Sequence, residues 1–182
     1  MHPFSVQLHR LLWSRSAISL MSAGPGTWLS GQCWVLAEAL LRWITLSRSL
    51  PPSAVFLAII ADRQCPAHHV VVCVAVGSEA GAKRRWYLDA TGVKDEEGLL
   101  RYWRDEEGLD EPFLTAFDEQ LLLDLGIVRD GRTSTRLAEC VLEAFGWFSP
   151  IFLDQEEPFN GQDPSVASDG DPWDSDQERE ST

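Results

Sequence analysis

The sequence predicts an α+β fold, and three observations carry that expectation. Apolar residues recur at Val35, Leu36, Ala39, Leu40 and Trp43, the spacing of a helix that turns one wide face to a core. Two runs, 54–60 and 68–76, are continuous, apolar and rich in β-branched residues, as buried strands are. Helical spacing then returns over 94–125 and 133–145, so helices flank a small sheet.

Taken in order, Phe4, Val6, Leu8, Leu11 and Leu12 predict one helix over about 4–15 packed on the domain; a basic amphipathic targeting helix is the alternative. Gly24-Pro25-Gly26 centres a loop over 23–31. The helix over 33–46 follows, and Pro51-Pro52 marks a connection. The run 54–60 reads as a central strand, and 62–66 as a turn. Segments 68–76 and 84–89 are expected to pair as antiparallel neighbours, which makes a sheet of at least three strands against the 33–46 helix. Pro112 suits the first position of a helix running through Phe113, Phe117, Leu121 and Leu125 to a stop at Gly126. A further helix covers 133–145, and 147–153 is a last strand or an extended docking segment.

A length of 182 residues suits one domain, over 1–153, with an appendage. The formal charge is −13, but ten of the 28 acids lie from Asp154 onward, against Arg179 alone. That segment cannot bury enough apolar area to offset its ordering entropy, so 154–182 is expected to be a disordered acidic tail, with Phe159 and Trp173 as anchors for a partner. The body carries no basic patch for a phosphate backbone, which argues against nucleic acid as a partner. No apolar run approaches the roughly 20 residues of a membrane span. Arg10 and Arg15 interrupt the N-terminal apolar stretch, so no signal peptide is read there. The four cysteines, 33, 65, 73 and 140, form no C-x-x-C pair and no disulfide framework, which points to a reducing, cytoplasmic compartment.

The residues that carry chemistry are few. Cys33 falls at a loop-to-helix junction, where unpaired N–H groups and the positive end of the helix dipole favour a thiolate. His68 and His69 open the 68–76 strand, and Asp89 ends the next one. A cysteine on a helix start, a histidine at a strand start and an aspartate at a strand end is an arrangement of nucleophile, base and orienter. Adjacent strand residues face opposite sides, so only one of the two histidines can face Cys33. Asp89-Ala90-Thr91-Gly92 is also good turn chemistry, and an Asx-turn is the alternative use of that carboxylate. Cys65, His68, His69 and Cys73 lie within nine residues, but valines hold the last two apart on an extended run, so no metal and no cofactor is expected.

Gly31-Gln32-Cys33-Trp34-Val35 resembles the nucleophile motif of transglutaminases. His69-Val70 and Trp86-Tyr87-Leu88-Asp89-Ala90-Thr91 resemble their histidine strand and their W-x-x-L-D-A/P-T aspartate strand. The order Cys, His, Asp is the same, with separations of 36 and 20 residues. The wider group is the papain-like, transglutaminase-like cysteine hydrolases, whose papains also carry C-W and H-A-V patterns. The likeness spans about 24–93 and lacks the family's H-V-W-N-E, since Val70, Val71 and Val72 follow His69.

The resemblance implies a papain-like or transglutaminase-like fold with a Cys33, His69 and Asp89 triad, His68 being the alternative base. It also implies acyl transfer through a thioester on a protein or peptide amide, as protease, isopeptidase, deamidase or transglutaminase-like enzyme. The backbone N–H of Cys33 is the natural oxyanion donor. Gln32 or Trp28 is the candidate second donor, with Trp34 beside them at the substrate groove. The alternative from a different class is an inactive binding or inhibitory module on the same fold.

Overall fold

The computed structural model describes residues 2–21, 27–29, 31–77, 83–127 and 129–153. The acidic segment from 154 onward, with Phe159 and Trp173, lies outside the described residues. Among the described residues, five strands and six α-helices make a mixed α+β unit. Among the described residues no helix is long and apolar enough to cross a membrane.

The predicted N-terminal helix is two helices, α1 (Pro3–Leu12) and α2 (Arg15–Met21). The break falls where Ser14 Oγ accepts the Ala17 N–H at 3.3 Å and so starts a new first turn. α3 (Cys33–Leu46) has the bounds its apolar spacing predicts, and ten of its residues are buried. It is the central helix of the larger core because it is apolar nearly all round. The fully buried Trp43 gathers that core. Its ring stacks on Phe4 of α1 at 5.7 Å and meets Phe148 edge-on at 5.2 Å, and its Nε1–H donates to Gly146 O at 2.8 Å.

The sheet is wholly antiparallel, in the order β4-β3-β2-β1-β5. Its strands are β1 (Val55–Ala61), β2 (His69–Gly77), β3 (Lys83–Asp89), β4 (Gly92–Lys94) and β5 (Phe113–Ala116). Alternation along the strands gives the sheet two apolar faces. Ile59, Val70, Val72, Val74, Trp86 and Leu88 join the α3 core. Ala58, Ile60, Val71, Cys73 and Tyr87 face the other way, under Leu99 and Trp103 of α4 (Glu96–Asp105). Asp95 caps α4, accepting the Gly98 N–H at 2.8 Å.

The region after α4 corrects the predicted long helix. Residues 113–116 are not helical; they form the edge strand β5, with Leu114 opposite Ile60 and Ala116 opposite Ala58. Proline disfavours the helical region for the residue before it, and here Glu111 takes φ 48° and turns the chain into an extended path along β1. α5 (Glu119–Asp124) is accordingly short and starts at the Asp118 cap. α6 (Gly131–Phe145) packs on α3 and begins at Asp130, whose carboxylate accepts the Arg132 and Thr133 N–H groups. The 147–153 stretch is neither strand nor fully extended, since Pro150–Leu153 is a 3-10 turn, but Phe148 and Leu153 are buried in the α3 core.

Glu38, buried in the middle of α3, joins this helix to the α5–α6 connection. It accepts from Arg129 Nη2 at 2.6 Å, Arg42 Nη2 at 3.0 Å and Ser134 Oγ at 3.1 Å. Burial pushes its carboxyl up, but these donors, Arg129 first, hold it below the usual carboxylate range.

Gly92 turns β3 into β4 with φ +107°, and a Cβ there would lie 2.1 Å from Ser5 Oγ of α1. That Oγ accepts the Val93 N–H at 3.0 Å, so the close approach is part of how α1 seats on the sheet. Gly92→Ala is expected to destabilise the fold by about 3 kcal/mol through backbone strain and overpacking, read as a lower denaturant midpoint with an unchanged m-value.

Candidate active site

Cys33 is the first residue of α3, and the chain approaches it through a closed turn. The Gln32 N–H donates to Thr27 O at 3.1 Å, a single bridge joins Thr27 to Gly31, and the Leu29 N–H reaches Thr27 Oγ1 at 3.2 Å. Gly31 sits at φ 78°, which only glycine adopts without strain. Gln32 is the N-cap residue but makes no side-chain cap bond. The N–H groups of the first helical turn are therefore left for whatever negative charge forms at the Cys33 sulfur.

His69 is the first residue of β2 and lies on the α4 face of the sheet. Its Nε2 is 3.3 Å from Asp89 Oδ2, and its Nδ1 is 3.1 Å from Leu29 O. The Cys33 thiol lies near enough to the His69 imidazole and the Val70 N–H for both to favour its ionised form. Leu88 pairs with Val72, so Asp89 at the end of β3 falls diagonally across from His69 on the same face. The three predicted side chains, Cys33, His69 and Asp89, are thus brought together by three separate elements.

Asp89 also makes the predicted turn, because its two oxygens divide the work. Oδ1 accepts the Thr91 N–H at 2.7 Å, which is an Asx-turn, and the Thr91 Oγ1–H at 2.5 Å. Oδ2 is left for the imidazole. A ring of Trp103 lies over His69, centroid to centroid 4.5 Å, and closes the site from the α4 side. Cys33, His69 and Asp89 are 2%, 1% and 2% exposed, so the three side chains lie beneath the surface.

The electrostatics follow from this geometry. Burial pushes the Cys33 thiol up, but the imidazole beside it and the N–H groups of Val70 and Trp34 outweigh that, and the thiol titrates below its ordinary 9.0. Burial pulls the His69 imidazole down, but Asp89 first and Cys33 second raise it to about 9. Burial pushes the Asp89 carboxyl up, yet His69, Lys94 and Thr91 hold it below the usual carboxylate range. Between the lowered thiol value and about 9 the stable form of the pair is thiolate and imidazolium.

No family model, curated protein or solved structure matches the chain.

The other predicted residues are placed as follows. His68 lies just before β2 and turns its Nε2 to Asp62 Oδ1 at 3.1 Å. Trp28 is buried and donates its Nε1–H to Leu12 O at 3.0 Å, which commits its one donor to holding the turn against α1. Trp34 is 2% exposed and packs edge-on against Phe117 at 5.8 Å, inside the core and not along a groove. Gln32 is half-buried and keeps its side chain free of the cap. Among the described residues no three His, Cys, Asp or Glu side chains converge as a metal ion requires.

Sequence reasoning missed Leu29, whose carbonyl faces His69, because backbone contacts leave no residue-type signal. It also missed Trp103, one aromatic in a charge-rich helix, and Lys94, which looks like a surface charge after a strand.

Proposed function

We propose that this chain is a cysteine-dependent acyl-transfer enzyme on a papain-like or transglutaminase-like fold. One observation carries the reading: a thiol at an uncapped helix start shares an imidazole with a buried carboxylate, and the imidazole together with the Val70 and Trp34 N–H groups pushes it toward thiolate. The motifs around Cys33, His69 and Asp89 support the same reading by resemblance.

The Cys33 thiolate attacks the carbonyl carbon of an amide or ester. The carbonyl π electrons move to oxygen, and the oxyanion falls against the Cys33 N–H, with Gln32, whose side chain makes no cap bond, as the second donor. Collapse re-forms the carbonyl, breaks its bond to the leaving group and leaves a thioester. The imidazolium gives its proton to the departing amine or alkoxide. Water or an amine then attacks the thioester while His69 takes back a proton, and the thiolate leaves. Water yields cleavage or deamidation, and an amine yields cross-linking. Asp89 holds the imidazole tautomer and balances its charge throughout. The substrate class is a protein or peptide amide.

The sealed triad favours a second reading, in which the fold serves as a binding or inhibitory module without turnover. The two separate in a library of peptide and isopeptide amides followed by mass spectrometry, with and without added amine. The enzyme reading expects chain cleavage, the small mass shift of deamidation, or a gain equal to the amine. Each should vanish in Cys33→Ser. An unchanged library under all conditions supports the module.

A further inference from the structure

Beyond the three converging side chains, the structure carries a fourth and fifth group in line with them. Thr91 Oγ1 donates to Asp89 Oδ1 at 2.5 Å, and Lys94 Nζ donates to Thr91 O at 3.0 Å and also contacts Thr91 Oγ1. The direction of this chain is forced. An ammonium group can only donate, so Thr91 Oγ1 accepts from Lys94 and must turn its own proton to Asp89. Asp89 Oδ1 is then filled by two donors from Thr91, the backbone N–H and the hydroxyl. Only Oδ2 remains to meet His69 Nε2.

We propose that Lys94 is a positioning residue for the catalytic histidine, acting through Thr91 and Asp89 to fix which carboxylate oxygen faces the imidazole and to keep that carboxylate ionised. The inference rests on the acyl-transfer reading of the triad.

Lys94 is built into this place. It is partly buried on β4, its ammonium lies 4.9 Å from the centre of the Tyr102 ring of α4, and its strand neighbour is Tyr87. A lysine serving only solubility would extend into water instead of folding back on its own turn. The charged and titratable groups around it can be named by element. Asp89 lies on β3, with His69 on β2 and Cys33 on α3 beyond it. From α4 comes Tyr102, whose hydroxyl donates to Glu107 Oε1 at 3.1 Å, with Glu106 nearby. Tyr87 turns its hydroxyl to Glu96 Oε2 at 3.1 Å. α1 meets β4 through Ser5 and the Val93 N–H. Burial lowers the Lys94 ammonium and Asp89 raises it, so its charge is held mainly by the carboxylate it serves.

The test is the pH titration of the Cys33 thiolate, read from its ultraviolet absorbance with the Cys33→Ser signal on the same background subtracted. In Lys94→Met the carboxylate loses a nearby cation and Thr91 Oγ1 loses the donor that keeps its proton on Asp89, so the carboxylate protonates at higher pH and the thiolate–imidazolium pair is lost with it. The acid limb should move up by about one pH unit, about a tenfold loss of thiolate on that limb. Lys94→Arg should restore most of the shift, since charge and donor return. Thr91→Val, nearly isosteric, removes the hydroxyl link and should move the limb in the same direction even if Lys94→Met folds poorly. A purely structural lysine would lower the melting temperature and leave the titration in place. A low wild-type thiolate value with an unmoved limb in both Lys94→Met and Thr91→Val would overturn the relay alone. A wild-type thiol that titrates near 9.0 would overturn the acyl-transfer reading with it.

Discussion

Cys33→Ser is expected to abolish acyl transfer, a loss of about 10^5-fold, while the protein folds much as before. The residue is 2% exposed, and serine is close to its size, so the core around the start of α3 keeps its packing. What changes is acidity. A hydroxyl stays protonated where the thiol ionises, so His69 loses an anionic neighbour and its imidazole should fall from about 9. Nuclear magnetic resonance of the imidazole nitrogens reads that fall directly.

The same substitution has a signature in stability against pH. The folded imidazole value is raised above its ordinary 6.5, so His69 contributes stability that is complete below 6.5 and lost as pH rises toward about 9. The folded thiol value is lowered from 9.0, so Cys33 contributes stability that is present above 9.0 and lost as pH falls through the lowered value. Where the two windows overlap the slopes oppose each other, because the folded pair holds as many protons as the unfolded one. Cys33→Ser removes the second slope. Its stability should fall with rising pH across the interval above 6.5, where the parent chain is flatter; chemical denaturation at a series of pH values checks this.

Asp89→Asn should cost roughly 10^3–10^4-fold in kcat/KM, although it is isosteric. Thr91 supplies two donors at the Oδ1 position, and these select the amide oxygen of the new side chain. The amide nitrogen must then occupy the Oδ2 position and present hydrogens to His69 Nε2. Nε2 can no longer carry a proton there, so the ring proton moves to Nδ1, which faces Leu29 O, and neither ring nitrogen is left free to take up another. In that tautomer the imidazole cannot accept the thiol proton. Steady-state kinetics on an amide from the library, with a melting curve as control, separate this loss from unfolding.

The parts of the fold legible in the sequence are those that local pattern determines. The apolar stripe of α3 fixes both its ends, and the valine run of β2 admits no other conformation. β5 was not legible, because Phe113–Ala116 carries helical spacing and becomes a strand only by pairing with Ala58–Ala61. The α1–α2 break was hidden for a similar reason: Ser14 is one serine among several until its hydroxyl meets the Ala17 N–H. At the site, Cys33, His69 and Asp89 stood out because a cysteine, a histidine and an aspartate at element ends are the residue types expected of a nucleophile, a base and an orienter. Trp103, the Leu29 carbonyl and the Lys94–Thr91 link act through packing, backbone and chain reversal, none of which leaves a mark in residue order. Trp28 and Trp34 illustrate the converse: beside Cys33 they read as a candidate oxyanion donor and a groove residue, and they serve here as anchors of the turn and core.

The most direct test of the central claim is brief labelling of the native protein with iodoacetamide at about pH 6, with each cysteine scored by mass spectrometry. Exposure alone ranks the half-buried Cys65 and Cys140 ahead of the buried Cys33 and Cys73. A thiolate at Cys33 inverts that order, since the thiolate is the reacting form. Cys33 labelled first, and slowed in Asp89→Asn, is the expected result; labelling that follows exposure, with Cys33 trailing Cys65 and Cys140, would contradict it.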